Sequence, residues 1–227
     1  MITLLFDIDG TLVRTGGAGK GAMEAALQRE FGVREIFDTV AYSGRTDRSI
    51  GRELLTVHGI EPTAENVRRL TDAYLDQLPH FLRDRGGEVC PQIEPIVKTA
   101  AAKRDGVLLG LLTGNVRRGA AAKLGHFGLW DYFPLGGFGD DHFDRDDVAR
   151  SALIEVQRHT GRTVNPADVW VIGDTPLDVQ CARAIGAKAV AVATGWHSFD
   201  ELAGCRPDAV FKDLTEASDL LRIWGVT

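Results

Sequence analysis

Five short apolar runs punctuate the sequence: ITLLF (2–6), VLLGLL (107–112), VWVIG (169–173), AVAVA (189–193) and AVF (209–211). They are rich in Val, Ile and Leu and do not alternate with polar residues. Such runs suit strands buried on both faces of a parallel sheet. Helical patterns fall between them, near 117–126, 147–160, 177–185 and 214–224. The alternation predicts an α/β fold, an open parallel sheet with helices on both faces.

One segment breaks the rhythm. Residues 16–88 hold no convincing strand and read as helices over 18–31, 47–58 and 63–84. A parallel crossover needs only a dozen or more residues, and this one is several times longer. The pattern predicts a helical subdomain inserted after the first strand. The chain then divides into a Rossmann-like α/β core (1–15 and 89–227) and an α-helical insertion (16–88). Gly16, Gly17, Gly86 and Gly87 stand near its two ends, placed as hinges would be. A chain of 227 residues has room for one large domain or for one domain with such an insertion.

In open α/β sheets, ligands bind beyond the carboxyl ends of the strands. The first run ends in Asp7-Ile8-Asp9, the second in Thr113-Gly114-Asn115, and the third in Asp174-Thr175-Pro176-Leu177-Asp178. A carboxylate at the end of a buried strand is costly unless paired, protonated or bound to a cation. A cluster of them with little basic charge nearby makes a hard-cation site, and magnesium suits it. Thr175 is placed to cap a helix beginning at Pro176. That helix N-terminus would face the same crevice and favour anions.

FDIDGT (6–11), LLTGN (111–115) and GDTPLD (173–178) together resemble, in that order, three motifs of the haloacid dehalogenase-like hydrolase superfamily. The insertion resembles the helical cap of its phosphoglycolate phosphatase-like branch. The resemblance covers the whole chain. It implies that Asp7 is a nucleophile forming an aspartyl-phosphate. Asp9 is implied as the general acid that protonates the leaving oxygen and later the base that activates water. Gly10, Thr113, Gly114 and Asn115 would bind the phosphoryl group. Mg2+ would be held by Asp7, the carbonyl of Asp9, and Asp174, with Asp178 in direct contact or behind them. The dehalogenase branch lacks an acid at the place of Asp9, so phosphoryl transfer is the expected chemistry.

The match departs at one motif. The family usually carries a lysine, sometimes an arginine, before the helix preceding its last motif. Here GDDHFDRDDVARSALIE (139–155) contains no lysine. Arg145 falls at the expected place, with Arg150 as the second candidate. Its five aspartates within 140–147 do not make a calcium loop, because Val148 and Ala149 stand where a ligand and a glycine are needed. In the insertion, YSGRTDRSI (42–50) puts Arg45 in a turn before a helix that Thr46 or Asp47 would cap. Arg45 reads equally as a substrate contact and as a surface arginine. GGAGKGA (16–22) reads as a linker rather than a nucleotide-binding loop, because its glycines do not follow the strand directly. Trp196 and His197 follow the fourth strand end, either packed or lining the entrance.

The expected function is that of a Mg2+-dependent phosphatase of a small phosphorylated metabolite. A phosphomutase uses the same core. A phosphonate hydrolase would need a Schiff-base lysine in the cap, with Lys20 as a poor candidate. A non-catalytic binding protein is the rival from another class. The net charge of −6, from 32 acidic and 26 basic residues with no basic run, argues against nucleic acid as a partner. No apolar stretch approaches a membrane span and no leader pattern is seen, so a cytoplasmic monomer or homodimer is expected. Cys90, Cys181 and Cys205 are scattered, without CxxC spacing, and read as incidental thiols.

Overall fold

The computed structural model describes residues 1–103 and 106–226. The chain enters through β1 (Ile2–Phe6) and a two-residue strand β2 (Val13–Arg14). Three helices follow: α1 (Ala18–Phe31), α2 (Asp47–Val57) and α3 (Ala64–Arg85). Strand β3 (Glu88–Val89), helix α4 (Ile93–Ala102), strand β4 (Val107–Leu112) and helix α5 (Arg117–His126) return the chain to the sheet. Then come β5 (Gly136–Gly137), α6 (Arg145–Thr160), β6 (Val169–Gly173) and α7 (Pro176–Ala184). Strand β7 (Lys188–Val192), helix α8 (Phe199–Gly204), strand β8 (Ala209–Phe211) and helix α9 (Ser218–Trp224) complete the chain.

Six strands form a sheet in the order β5-β4-β1-β6-β7-β8, with every pair parallel. This is the open α/β sheet that the apolar runs predict. Residues from α4, α5 and α9 cover one face. Residues from α6, α7 and α8 cover the other. Leu4, Leu5 and Phe6 of β1 are fully buried, as a central strand covered on both faces requires. Each such side chain contributes about 1.5–3 kcal/mol by leaving water.

The segment after β1 is helical, as its pattern predicts. α1 packs along α3, and α2 lies against both. Ala22, Ala26, Leu27, Leu54, Leu70 and Leu78 form a separate apolar cluster there. Thr46 and Thr63 cap α2 and α3, accepting from the amides of Ser49 and Asn66 at 3.1 Å each. The two ends of this segment meet in an antiparallel ribbon, Val13 opposite Val89 and Arg14 opposite Glu88.

Several elements escaped the sequence pattern. The ribbon, β5 and α8 are too short to carry a periodic signal, and β5 consists of two glycines, which disfavour strands. α4 lies in a stretch where no helix is expected from the pattern. α6 begins at Arg145 rather than 147, because Asp144 caps it through the Asp146 amide at 2.9 Å. The helix patterned over 214–224 is a 3₁₀ turn at 214–216 followed by α9. No helix of the described residues is long and apolar enough to cross a membrane.

Candidate active site

The register sets Phe6 beside both Leu111 and Ile172. The residues that follow β1, β4 and β6 therefore leave the sheet side by side. The amide of Asp7 still donates to the Ile172 carbonyl at 2.9 Å, so Asp7 is held by the sheet itself.

Asp7 is 5% exposed. One of its oxygens accepts from Arg145 Nη1 at 3.3 Å. Arg145, also buried, pairs through Nη2 with Asp178. The other oxygen of Asp178 accepts from the amide of Thr175 at 3.0 Å and from its hydroxyl at 2.7 Å. Thr175 and Asp178 so form a capping box at the start of α7, with Pro176 at its first position. Asp174 accepts from Thr11 Oγ1 at 3.2 Å. Gly10 closes over Asp174: it sits at φ +84°, and a Cβ there would fall 2.4 Å from Asp174 Oδ2. Only glycine meets both conditions.

One oxygen from each of Asp7, Asp174 and Asp178 lies within 4.8 Å of the other two. Three buried carboxylates thus gather at one place, and Arg145 pairs with two of them, Asp7 and Asp178. Burial raises Asp7 from 3.8 to about 7, with Arg145 opposing and the Asp178 and Asp9 charges adding to the rise. Burial, then the charges of Asp178 and Asp7, push Asp174 well above the usual carboxylate range. For Arg145 burial works against the charged form, but Asp178 and Asp7 outweigh it and raise its pKa. An all-oxygen, acid-rich set of this kind fits a hard divalent cation, which would offset the carboxylate repulsion.

These shifts have a consequence for stability. Between pH 3.8 and about 7 the folded protein holds a proton on Asp7 that the unfolded chain has released. Stability then falls as pH rises through that interval. In chelator, Asp7→Asn is expected to make this fall shallower, read as denaturation midpoints against pH. An equally steep fall in the variant would show that Asp7 is not the group responsible.

Asp9 sits differently. Its side chain is 42% exposed, and one oxygen accepts from both Asn115 Nδ2 (2.9 Å) and Lys123 Nζ (2.6 Å). Lys123 lies on α5, with its side chain 4% exposed, and also donates to Asn115 Oδ1 at 2.7 Å. Sequence reasoning passed over Lys123. Its signal was a lone charge among small residues in GAAAKLG, on a helix that must pack against the sheet. Thr113 is fully buried and accepts from Asn115 Nδ2 at 2.8 Å.

The loop before α2 is seated directly on this centre. The Asp47 amide donates to the Gly114 carbonyl at 2.8 Å, and Asp47 Oδ2 accepts from the Val116 amide at 2.9 Å. A Cβ on Gly114 would fall 2.0 Å from the Arg45 carbonyl, so glycine permits the approach. Burial lifts Asp47 to about 6, with Lys123 and the Val116 amide opposing.

The remaining candidates fall outside the cluster. The Arg45 guanidinium turns to Glu53 at 2.5 Å and the Ala41 carbonyl at 3.0 Å, so the loop reaches the site through its backbone. Arg150 pairs with Asp147 at 2.5 Å on the exposed side of α6. Lys20 pairs with Asp38 at 2.6 Å. Trp196 is 90% exposed rather than packed, and His197 Nε2 lies 3.4 Å from Ser43 Oγ. The loop after β7 so meets the loop before α2.

A parallel sheet that gathers carboxylates beyond its central strands belongs to the α/β enzymes that bind ligands at strand ends. The sequence profile of the haloacid dehalogenase-like hydrolases matches residues 4–183, and the chain belongs to that family. Curated relatives of similar length are named as phosphatases. Phosphoglycolate phosphatase of Pectobacterium atrosepticum is 26% identical, over 98% of this chain and 92% of that protein. The probable phosphatase IndB of Dickeya dadantii is 27% identical, over 94% and 90%. The crystal structure of CbbY from Rhodobacter sphaeroides in complex with phosphate superposes with a TM-score of 0.75. It is 21% identical and covers 95% of this chain and 96% of that one.

Proposed function

We propose that the protein is a magnesium-dependent phosphatase of a small phosphorylated metabolite, phosphoglycolate-like or a sugar phosphate, working through an aspartyl-phosphate on Asp7. The observation that carries this reading is the separation of two carboxylates only two residues apart. Asp7 is buried against Arg145, Asp174 and Asp178, while Asp9 is half-open and tied to Asn115 and Lys123. Different surroundings suit different roles. Magnesium would be held by Asp7, Asp174 and the Asp9 carbonyl, with Asp178 orienting them from its capping box. Bound there, the ion supplies positive charge against the phosphate and keeps Asp7 ionised.

In this reading an Asp7 oxygen attacks phosphorus. The bond to the leaving oxygen breaks, its electron pair stays on that oxygen, and Asp9 supplies the proton. Water then attacks the phosphorus of the aspartyl-phosphate, Asp9 takes the proton back, and Asp7 leaves as carboxylate. Thr113, the amides of Gly114 and Asn115, and the turn at Gly10 would hold the phosphoryl oxygens. Arg145 adds a fixed charge, and its buried Nε has no protein partner among the described residues. The loop at Gly44–Asp47 presses on Gly114 and Thr175, which favours a small substrate. A phosphoglycolate-like substrate is further suggested by what the curated relatives are named for. A cytoplasmic setting agrees with three unpaired cysteines, two of them buried.

The test is phosphate release from a panel of phosphorylated metabolites, with magnesium and with chelator. Turnover of one or a few small esters, lost in chelator, is expected. Flat rates across the panel would move the protein to a binding role. Within the same assay, Arg145→Ala is expected to lose roughly 10²-fold or more in rate, as removal of a fixed transition-state charge does. Arg150→Ala, out on the surface, is expected to change little. The reverse pattern would transfer the role to Arg150.

A further inference from the structure

Lys123 is a buried charge that this chemistry leaves unused. Its ammonium, Asn115 and Asp9 form a closed triangle of bonds at 2.6, 2.7 and 2.9 Å. Asn115 Nδ2 also donates to Thr113 Oγ1, which ties the triangle to the loop after β4. Both donors to Asp9 fall on Oδ2. Among the described residues Oδ1 has no protein donor. Helix α1 leaves room for this arrangement: a Cβ on Gly19 would stand 3.1 Å from the Lys123 nitrogen. Gly19 of the GGAGKGA stretch is thereby accounted for, without a nucleotide.

Burying a lysine in an ion pair is a poor way to gain stability, since apolar replacements of similar volume are often neutral or better. Burial disfavours the Lys123 ammonium, and the Asp9 and Asp47 carboxylates outweigh it, so the charge is retained. The ammonium is locked at one oxygen of one carboxylate, two residues from Asp7.

We propose that Lys123 is the positioning residue for the acid and base of this reaction. By pinning Asp9 through Oδ2, it leaves Oδ1 free to give its proton to the leaving oxygen and later to take one from water. This inference rests on the role assigned to Asp9 above. Lys123 is bonded to Asp9 and Asn115 and acts on the reaction through them.

The two halves of the reaction separate it from a structural role. An aryl phosphate has a leaving oxygen that needs little protonation, whereas an alkyl phosphate depends on it. Hydrolysis of the phosphoenzyme needs the base with either substrate. Lys123→Met and Lys123→Gln remove the charge, and melting curves establish that the variants fold. With an alkyl phosphate, kcat/KM is expected to fall about tenfold or more, part of the 10²–10⁴-fold typical of general acid–base catalysis. With an aryl phosphate, kcat/KM is expected to hold while kcat and KM fall together. A burst of aryl alcohol should then mark the accumulating phosphoenzyme. In an Asp9→Asn background the Lys123 changes should add nothing. Equal losses in kcat/KM on both substrates, unchanged kinetics, a persisting effect in Asp9→Asn, or failure of both variants to fold would each overturn the inference. The wild type and Asp9→Asn serve as controls. If Asp9→Asn itself turns over like wild type, the underlying reading of Asp9 fails instead.

Discussion

Asp7→Asn is expected to form no phosphoenzyme with any substrate, whereas Asp9→Asn is expected to form one that persists. The physical ground is that Asn at position 7 keeps the shape and loses the nucleophilic charge. Its neighbours make the point sharper, because Arg145 and the cation would still hold the substrate phosphate in place. Binding should therefore survive while turnover falls to background. Asn at position 9 removes only the proton carrier. An aryl phosphate should still phosphorylate Asp7, and the ester should then accumulate for want of a base. Alkyl phosphates should lose about 10²–10⁴-fold, the range of general acid–base catalysis. Mass spectrometry of enzyme quenched during turnover of an aryl phosphate checks both. A label on any residue other than Asp7, or a label retained in Asp7→Asn, would overturn the assignment.

Asp174→Ala is expected to abolish turnover and magnesium binding together. Asp174 has the strongest claim to the ion: among the described residues no ion pair reaches it, and burial with the charges of Asp178 and Asp7 pushes its carboxyl well above the usual range. Removing it relieves carboxylate repulsion, so the metal-free variant should melt no lower than wild type in chelator. Asp178→Ala should behave otherwise. Its two oxygens are already engaged, one by Arg145 and the other by Thr175. Activity and metal affinity should fall about 10–100-fold, as when a group that orients ligands is removed. Stability should fall as well, because half of the capping box and one partner of a buried ion pair are lost. Calorimetric titration with magnesium and melting in chelator measure the two variants side by side. Full activity in Asp174→Ala, or in excess chelator, would sink the metal-dependent mechanism.

The fold was legible where burial on two faces forces a continuous apolar run. β1, β4, β6 and β7 answer to that condition, β8 is a half-buried edge strand, and the ends of all five could be read to within a residue or so. β5 could not, because a Gly-Gly strand exists through its pairing with β4 and through nothing in its own side chains. The helical segment was legible from its periodicity and, for α2, from the cap offered by Thr46 or Asp47, of which Thr46 is the one used. The ribbon between Val13 and Val89 joins residues distant in the chain, and two-residue strands carry no period.

The sequence by itself determined which chemistry-bearing residues stand at the strand ends, and in what order. That follows from local rules, since the end of a buried apolar run marks the strand end and a Thr before a Pro favours a helix start. Only the tertiary structure decided which charges meet. Arg145 and Arg150 lie one and a half turns apart on α6, so they face different sides, Arg145 toward Asp7 and Arg150 toward Asp147 in solvent. Arg45 sits in the loop that covers the centre, but its long side chain turns to Glu53 and only its backbone reaches Gly114. Lys123, in a run of alanines with no motif around it, reaches Asp9 because Ala120 and Leu124 of α5 join the apolar layer that covers β1, and α1 presents a glycine at the contact. Long flexible side chains are placed by the partners that surround them, and those partners come from parts of the chain far away in sequence.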